Sequence, residues 1–73
     1  MYNYNKLRGR IIEKYGSIEK FADNLGLSQT SVSKKLNNKS GFSRDDIFKW
    51  SDLLEISKDD FVSYFFDNEV QTN

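Results

Sequence analysis

Gln29, Thr30, Ser33 and Lys34 stand at positions i, i+1, i+4 and i+5 of a short polar stretch. In a helix that spacing puts all four on one side. Their chemistry is reversible hydrogen bonding. A Gln amide pairs in bidentate fashion with adenine, Thr and Ser hydroxyls donate to or accept from base edges, and Lys reaches guanine. Ser28, immediately ahead of them, carries the oxygen of a helix cap and adds a hydroxyl to the same face. The free N–H groups of that helix start also suit phosphate. Lys35, Asn38, Lys39 and Ser40 cluster where the helix ends, and can hold a nucleic-acid backbone without reading its sequence. The bland alternative is a solvated helix face. Against it, Thr30-Ser31-Val32-Ser33 uses residues that are poorer helix formers than the Glu and Lys of ordinary helix surfaces.

Bond-making chemistry finds no comparable set. The chain has no His and no Cys, so the usual general base, thiol nucleophile and zinc ligands are missing. Asp45-Asp46 and Asp59-Asp60 are adjacent carboxylates, yet neighbours in sequence do not share a helix face, and both pairs fall at expected helix starts. Gly9, Gly16, Gly26 and Gly41 are isolated and make no phosphate loop. Neither an enzyme, a metal site nor a cofactor is expected.

The elements that must position the polar face follow from spacing. Ala22, Gly26 and Val32 form an Ala-x3-Gly-x5-Val pattern with apolar flanks at Phe21, Leu25, Leu27 and Leu36. A small residue lets two short helices touch, Gly supplies the positive φ of the turn, and Val anchors the second helix. That is the specification of a helix-turn-helix. An αα-hairpin packed only for structure is the competing reading. Around this pair, helices are expected from Asn5 to Tyr15, Ile18 to Leu25, Gln29 to Asn37, about Arg44 to Leu54, and from the Ser57 region to near Phe66. Ser17, Ser28, Ser43 and Ser57 stand at four successive starts, with Asp46 and Asp60 three residues after the last two in the manner of a capping box. No run alternates long enough to make a strand. The expectation is an all-α, compact five-helix domain over residues 1–66, followed by a polar, flexible tail over 67–73.

Net charge is zero, but residues 1–44 hold nine Lys/Arg against three Asp/Glu, and residues 45–73 hold two against eight. Such asymmetry suggests a basic working face with acidic charge placed away from it. No apolar run is long enough to cross a bilayer and the first ten residues do not read as a signal peptide, so no membrane partner and a cytoplasmic location are expected. In the acidic half, Ile47, Trp50, Leu54, Phe61 and Phe65 have core spacing. Phe48, Val62 and Phe66 fall off those stripes, and either join the core, pack locally or form a protein interface.

The segments Phe21-Ala22, Leu25-Gly26-Leu27-Ser28, Val32-Ser33-Lys34-Lys35-Leu36-Asn37 and Asn38-Lys39-Ser40 resemble the lambda-repressor-like, Xre-type helix-turn-helix family. More narrowly they are similar to short Cro-like regulators of phages of Gram-positive bacteria. The resemblance spans about Leu7 to Phe66. It implies a lambda-repressor-like fold whose third helix enters the major groove of a duplex DNA operator. Residues matching Ser28, Gln29, Thr30, Ser33 and Lys34 would then contact bases. Ser17, at the start of the second helix, and the loop after the third would hold phosphates. The implied role is transcriptional repression in a lysis–lysogeny switch, with a homodimer formed through the C-terminal helices. Ile18 departs from the family, many of whose members have a phosphate-clamping Gln there. Some members of such switches bind a partner repressor instead of DNA, and an antirepressor role is therefore the alternative.

Overall fold

The structure, a computed structural model, describes residues 1–68. Its five helices are α1 (Asn5–Tyr15), α2 (Ile18–Leu25), α3 (Gln29–Leu36), α4 (Arg44–Leu54) and α5 (Phe61–Phe65), the last preceded by a 3-10 turn at Lys58–Asp60. The all-α, five-helix expectation holds among the described residues, where the only strand-like feature is an isolated antiparallel bridge between Tyr2 and Asn68.

Serine oxygens start three of these helices. Ser17, Ser28 and Ser43 accept from the amides of Lys20, Ser31 and Asp46 respectively. At Ser43 the Asp46 carboxylate also accepts from the Ser43 N–H, which completes the expected capping box. Ser57 departs from that expectation. The chain there enters a 3-10 turn, so the Asp60 amide reaches the Ser57 carbonyl at 3.0 Å and leaves the hydroxyl to donate to the Asp60 carboxylate. Helix α3 ends one residue earlier than expected, with Asn37 as its cap.

Tyr4, Leu7, Ile11, Phe21, Ala22, Leu25, Val32, Leu36, Trp50, Leu54, Ile56 and Phe65 are buried together as one core. Aromatic edges run through it: Tyr15 on Phe21, Phe21 on Trp50, Trp50 on Phe42, and Phe42 on both Tyr4 and Phe65, with ring centres 4.7–5.3 Å apart. Each such pair is worth about 0.5–1.5 kcal/mol beyond its buried area. One apolar residue leaves its expected place: Leu27 follows the Gly26 turn and is exposed.

At the corner between α2 and α3, Ala22 is buried and Gly26 has φ +75°. A Cβ at Gly26 would meet nothing within 4 Å, so the glycine is required by backbone conformation and not by crowding.

Residues 69–73 of the expected tail lie outside the described residues. Its first two do not hang free. Asp67 accepts from the Asn3 amide at 2.7 Å, and Asn68 forms the bridge with Tyr2.

Candidate functional site

Two surfaces deserve a functional account, one on α3 and one on α4 and α5. On α3, burial of Val32 and Leu36 turns Gln29, Thr30 and Lys34 outward, all three exposed, with Ser33 half-buried at the edge. No side-chain hydrogen bond within the described residues engages Gln29, Thr30, Ser33 or Lys34. Ser28 is exposed as well, but its hydroxyl is engaged with Ser31 as acceptor from the amide and donor to the side chain.

The expected backbone-binding set divides. Lys39 and Ser40 are exposed, and their amides donate to the Lys34 carbonyl, which closes the end of α3. Lys35 turns inward instead. Its ammonium donates to the Asp46 carboxylate at 2.8 Å and to the Gly41 carbonyl at 3.0 Å, and lies over the Phe42 ring. Burial pushes the Asp46 carboxyl up, but hydrogen bonds from Lys35 and Ser43 outweigh it and hold the group below the ordinary carboxylate range. Asn38 is also committed, because its amide accepts from the Tyr2 N–H and donates to the Tyr2 carbonyl. Ser17 spends its oxygen on the α2 cap. Lys35, Asn38 and Ser17 therefore serve the fold in this structure, and of the five expected phosphate contacts only Lys39 and Ser40 have free side chains.

The basic half is thinned further from within. Arg8 donates to the Leu36 carbonyl and the Asn37 side chain, and Arg10 to the carbonyls of Leu54 and Glu55. These arginines satisfy the open C-terminal ends of α3 and α4. Lys14 pairs with Glu55, whose carboxyl it holds below its usual range. Lys6 donates to Ser63 and lies over the Tyr64 ring.

The second surface keeps its charge. Asp45, Phe48 and Asp52 stand at i, i+3 and i+7 of α4 and are all exposed. No cation pairs with Asp45, Asp52, Asp59, Asp60 or Asp67 among the described residues. Lys49, on the same helix, points its ammonium towards the Leu25 carbonyl. Within three positions of one of these acids in sequence stands each of the three apolar side chains singled out earlier: Val62 is 68% exposed, Phe48 47% and Phe66 41%. Phe48 lies edge-on to Phe61, and Phe66 edge-on to Tyr2.

Phe42 and Tyr4 are among the structural residues that escaped the sequence reading. Phe42 sits at the centre of the aromatic network although it lies in a loop. Its signal was an apolar residue directly before the Ser43 cap with Ile47 at the fourth helical position, the pattern of a hydrophobic staple. Tyr4, 5% exposed, came from a segment whose overall polarity hid it. Among the described residues no group of His, Cys, Asp or Glu could hold a metal ion, and no helix is long and apolar enough to cross a membrane.

Fold and surfaces together define a small all-helical domain with free polar side chains on α3 and exposed apolar side chains on α4 and at α5. The chain belongs to the family described as protein of unknown function (DUF739), whose sequence model matches residues 1–68. Among solved structures it is similar to the modulator of repression (MOR) of the temperate bacteriophage TP901-1 from Lactococcus lactis, determined in solution. The two chains are 41% identical and superpose with a TM-score of 0.82, over 96% of this chain and 95% of the other. No curated protein sequence matches the chain.

Proposed function

We propose that the protein is a phage-type regulator that acts by binding a repressor protein through the surface of α4 and α5. The observation that carries this reading is Val62, Phe48 and Phe66 lying exposed beside acids without cations. Apolar groups rimmed by unpaired charge are what a protein interface uses, with the apolar part supplying affinity and the rim selecting the partner. The acidic rim favours a partner surface rich in Lys and Arg. Similarity to a protein named for modulating repression supports a repressor as that partner.

A second reading has its own observation in the free side chains of Gln29, Thr30, Ser33 and Lys34. In this reading α3 enters a major groove, as the resemblance to lambda-repressor-like regulators implies. It ranks second because the side chains of Lys35, Asn38, Arg8 and Arg10 are engaged within the chain, which leaves fewer free donors for the phosphate contacts that dominate DNA affinity. Ile18 packs against the core and offers no hydrogen bond at the start of α2.

Purified protein mixed separately with the cognate phage repressor and with labelled operator DNA decides between them. A repressor complex seen by calorimetry, with no mobility shift of operator by this protein alone, is the expected result. A shift by the protein alone, without repressor binding, would replace the first reading by the second.

A further inference from the structure

Residues 1–4 cross the end of the helical bundle as a strap. Asn3 donates to the Asp67 carbonyl at 2.7 Å, and Tyr2 bridges to Asn68. On the other edge, the Asn38 side chain imitates a neighbouring strand. Its Oδ1 accepts from the Tyr2 N–H at 3.0 Å and its Nδ2 donates to the Tyr2 carbonyl at 2.8 Å. The Tyr2 ring lies 6.0 Å from both Tyr4 and Phe66. Between strap, loop and α5 runs a groove of about 340 Å³, lined in part by Tyr2, Tyr4, Phe42, Phe65 and Phe66.

The fastening is uneven. Tyr4 is buried in the core, whereas Met1, Tyr2 and Asn38 are exposed. Exposed hydrogen bonds of this kind contribute little net stability, so segments held by them open well before the whole fold does. Asn38 has φ +60° immediately after α3, so the loop backbone aims its amide. One residue, Tyr2, thus joins the loop after α3 through its backbone to the apolar end of α5 through its ring.

We infer that residues 1–3 form a releasable strap clamped by Asn38, and that its release exposes more of Phe66 and opens the aromatic groove to the partner bound at α5. The clamp and any external ligand compete for the same Asn38 amide, so engagement of the loop after α3 favours the open strap. Occupation of the α5 surface then favours it in turn, because coupling of two sites is reciprocal. The partner half of this inference rests on the repressor-binding reading.

Asn38→Gly removes the clamp and keeps a residue suited to positive φ, which preserves the fold. The Asn3 amide bonds to Asp67 and not to Asn38, and its exchange, measured by NMR, therefore reports the strap. Losing two hydrogen bonds should speed that exchange by about tenfold or more, with the Tyr2–Phe66 ring contact weakened and the Leu7 and Ile11 amides unchanged. Affinity for the cognate phage repressor should rise by about three- to tenfold as more molecules start open. Unchanged Asn3 exchange would overturn the strap, and so would an equal rise at Leu7 and Ile11, which would make Asn38 a general support of the fold. A freed strap with unchanged or weaker repressor affinity would overturn the link to α5, provided that Val62→Ser weakens binding. If Val62→Ser also leaves binding unchanged, the repressor-binding reading fails, and the strap stands on the Asn3 exchange alone.

Discussion

Replacing Val62 by Ser tests the α5 surface with little disturbance of the fold. Val62 is 68% exposed, so about two-thirds of its side chain remains available for a partner to cover. Complete burial of a Val side chain is worth about 1.5–3 kcal/mol, and two-thirds of that is roughly 1–2 kcal/mol. Because 1.4 kcal/mol is a factor of ten in affinity, the repressor Kd should rise by about 5- to 30-fold. The free protein loses only the share already buried, about 0.5–1 kcal/mol, and Ser and Val have similar helix propensities. Calorimetric titration with the cognate repressor, paired with a urea denaturation curve for each protein, separates the two effects. Wild-type affinity should also fall as salt is raised, since the unpaired acids around Phe48 attract the partner through solvent. A Kd within twofold of wild type, in a variant of near-normal stability, would refute the placement of the interface on α5.

Other outcomes follow from particular contacts. If α3 reads DNA, Gln29→Ala weakens operator binding by ~1–3 kcal/mol at one base position, while Lys39→Ala weakens all sequences alike and lowers the salt slope by about one; a mobility shift insensitive to both would sink the second reading. The native Asp46 carboxyl lies below its ordinary value, so its contribution to stability is full above about pH 4 and is lost as the pH falls through the lower native value. Lys35→Met, which removes the main partner, should narrow the fall in melting temperature over that acid range, and an unaltered profile would show that the pair carries no linkage. The Ser51 hydroxyl is buried with no partner among the described residues. Ser51→Ala should therefore leave stability unchanged or raise it by about 1 kcal/mol in urea, and a loss of similar size would reveal a partner. Gly26→Ala should cost about 1–2 kcal/mol through its positive φ alone, since the added methyl meets no atom; a neutral result would show that the turn relaxes.

The helices were legible because their signals are local. Serine caps, first-turn acids and apolar periodicity act within one or two turns, and so do the glycine φ values that end α1 and α2. The outward face of α3 followed from the same periodicity, since Val32 and Leu36 leave one direction for Gln29, Thr30 and Lys34. The exposure of Phe48, Val62 and Phe66 was readable as a misfit to the core stripes. The fate of the basic residues was not. A long cationic side chain reaches carbonyls and carboxylates far away in sequence, and only chain packing decides whether one is near. Arg8 meets Leu36, Arg10 meets Leu54, Lys14 meets Glu55 and Lys35 meets Asp46, so several of the basic side chains are held in closing helix ends and pairing acids. The N-terminal segment was obscure for the same reason, because Tyr2 and Asn38 are partners 36 positions apart. Amino-acid order alone determined which helices form and which faces they show. Tertiary contact determined which charges stay free to act, because pairing is a matter of distance in space.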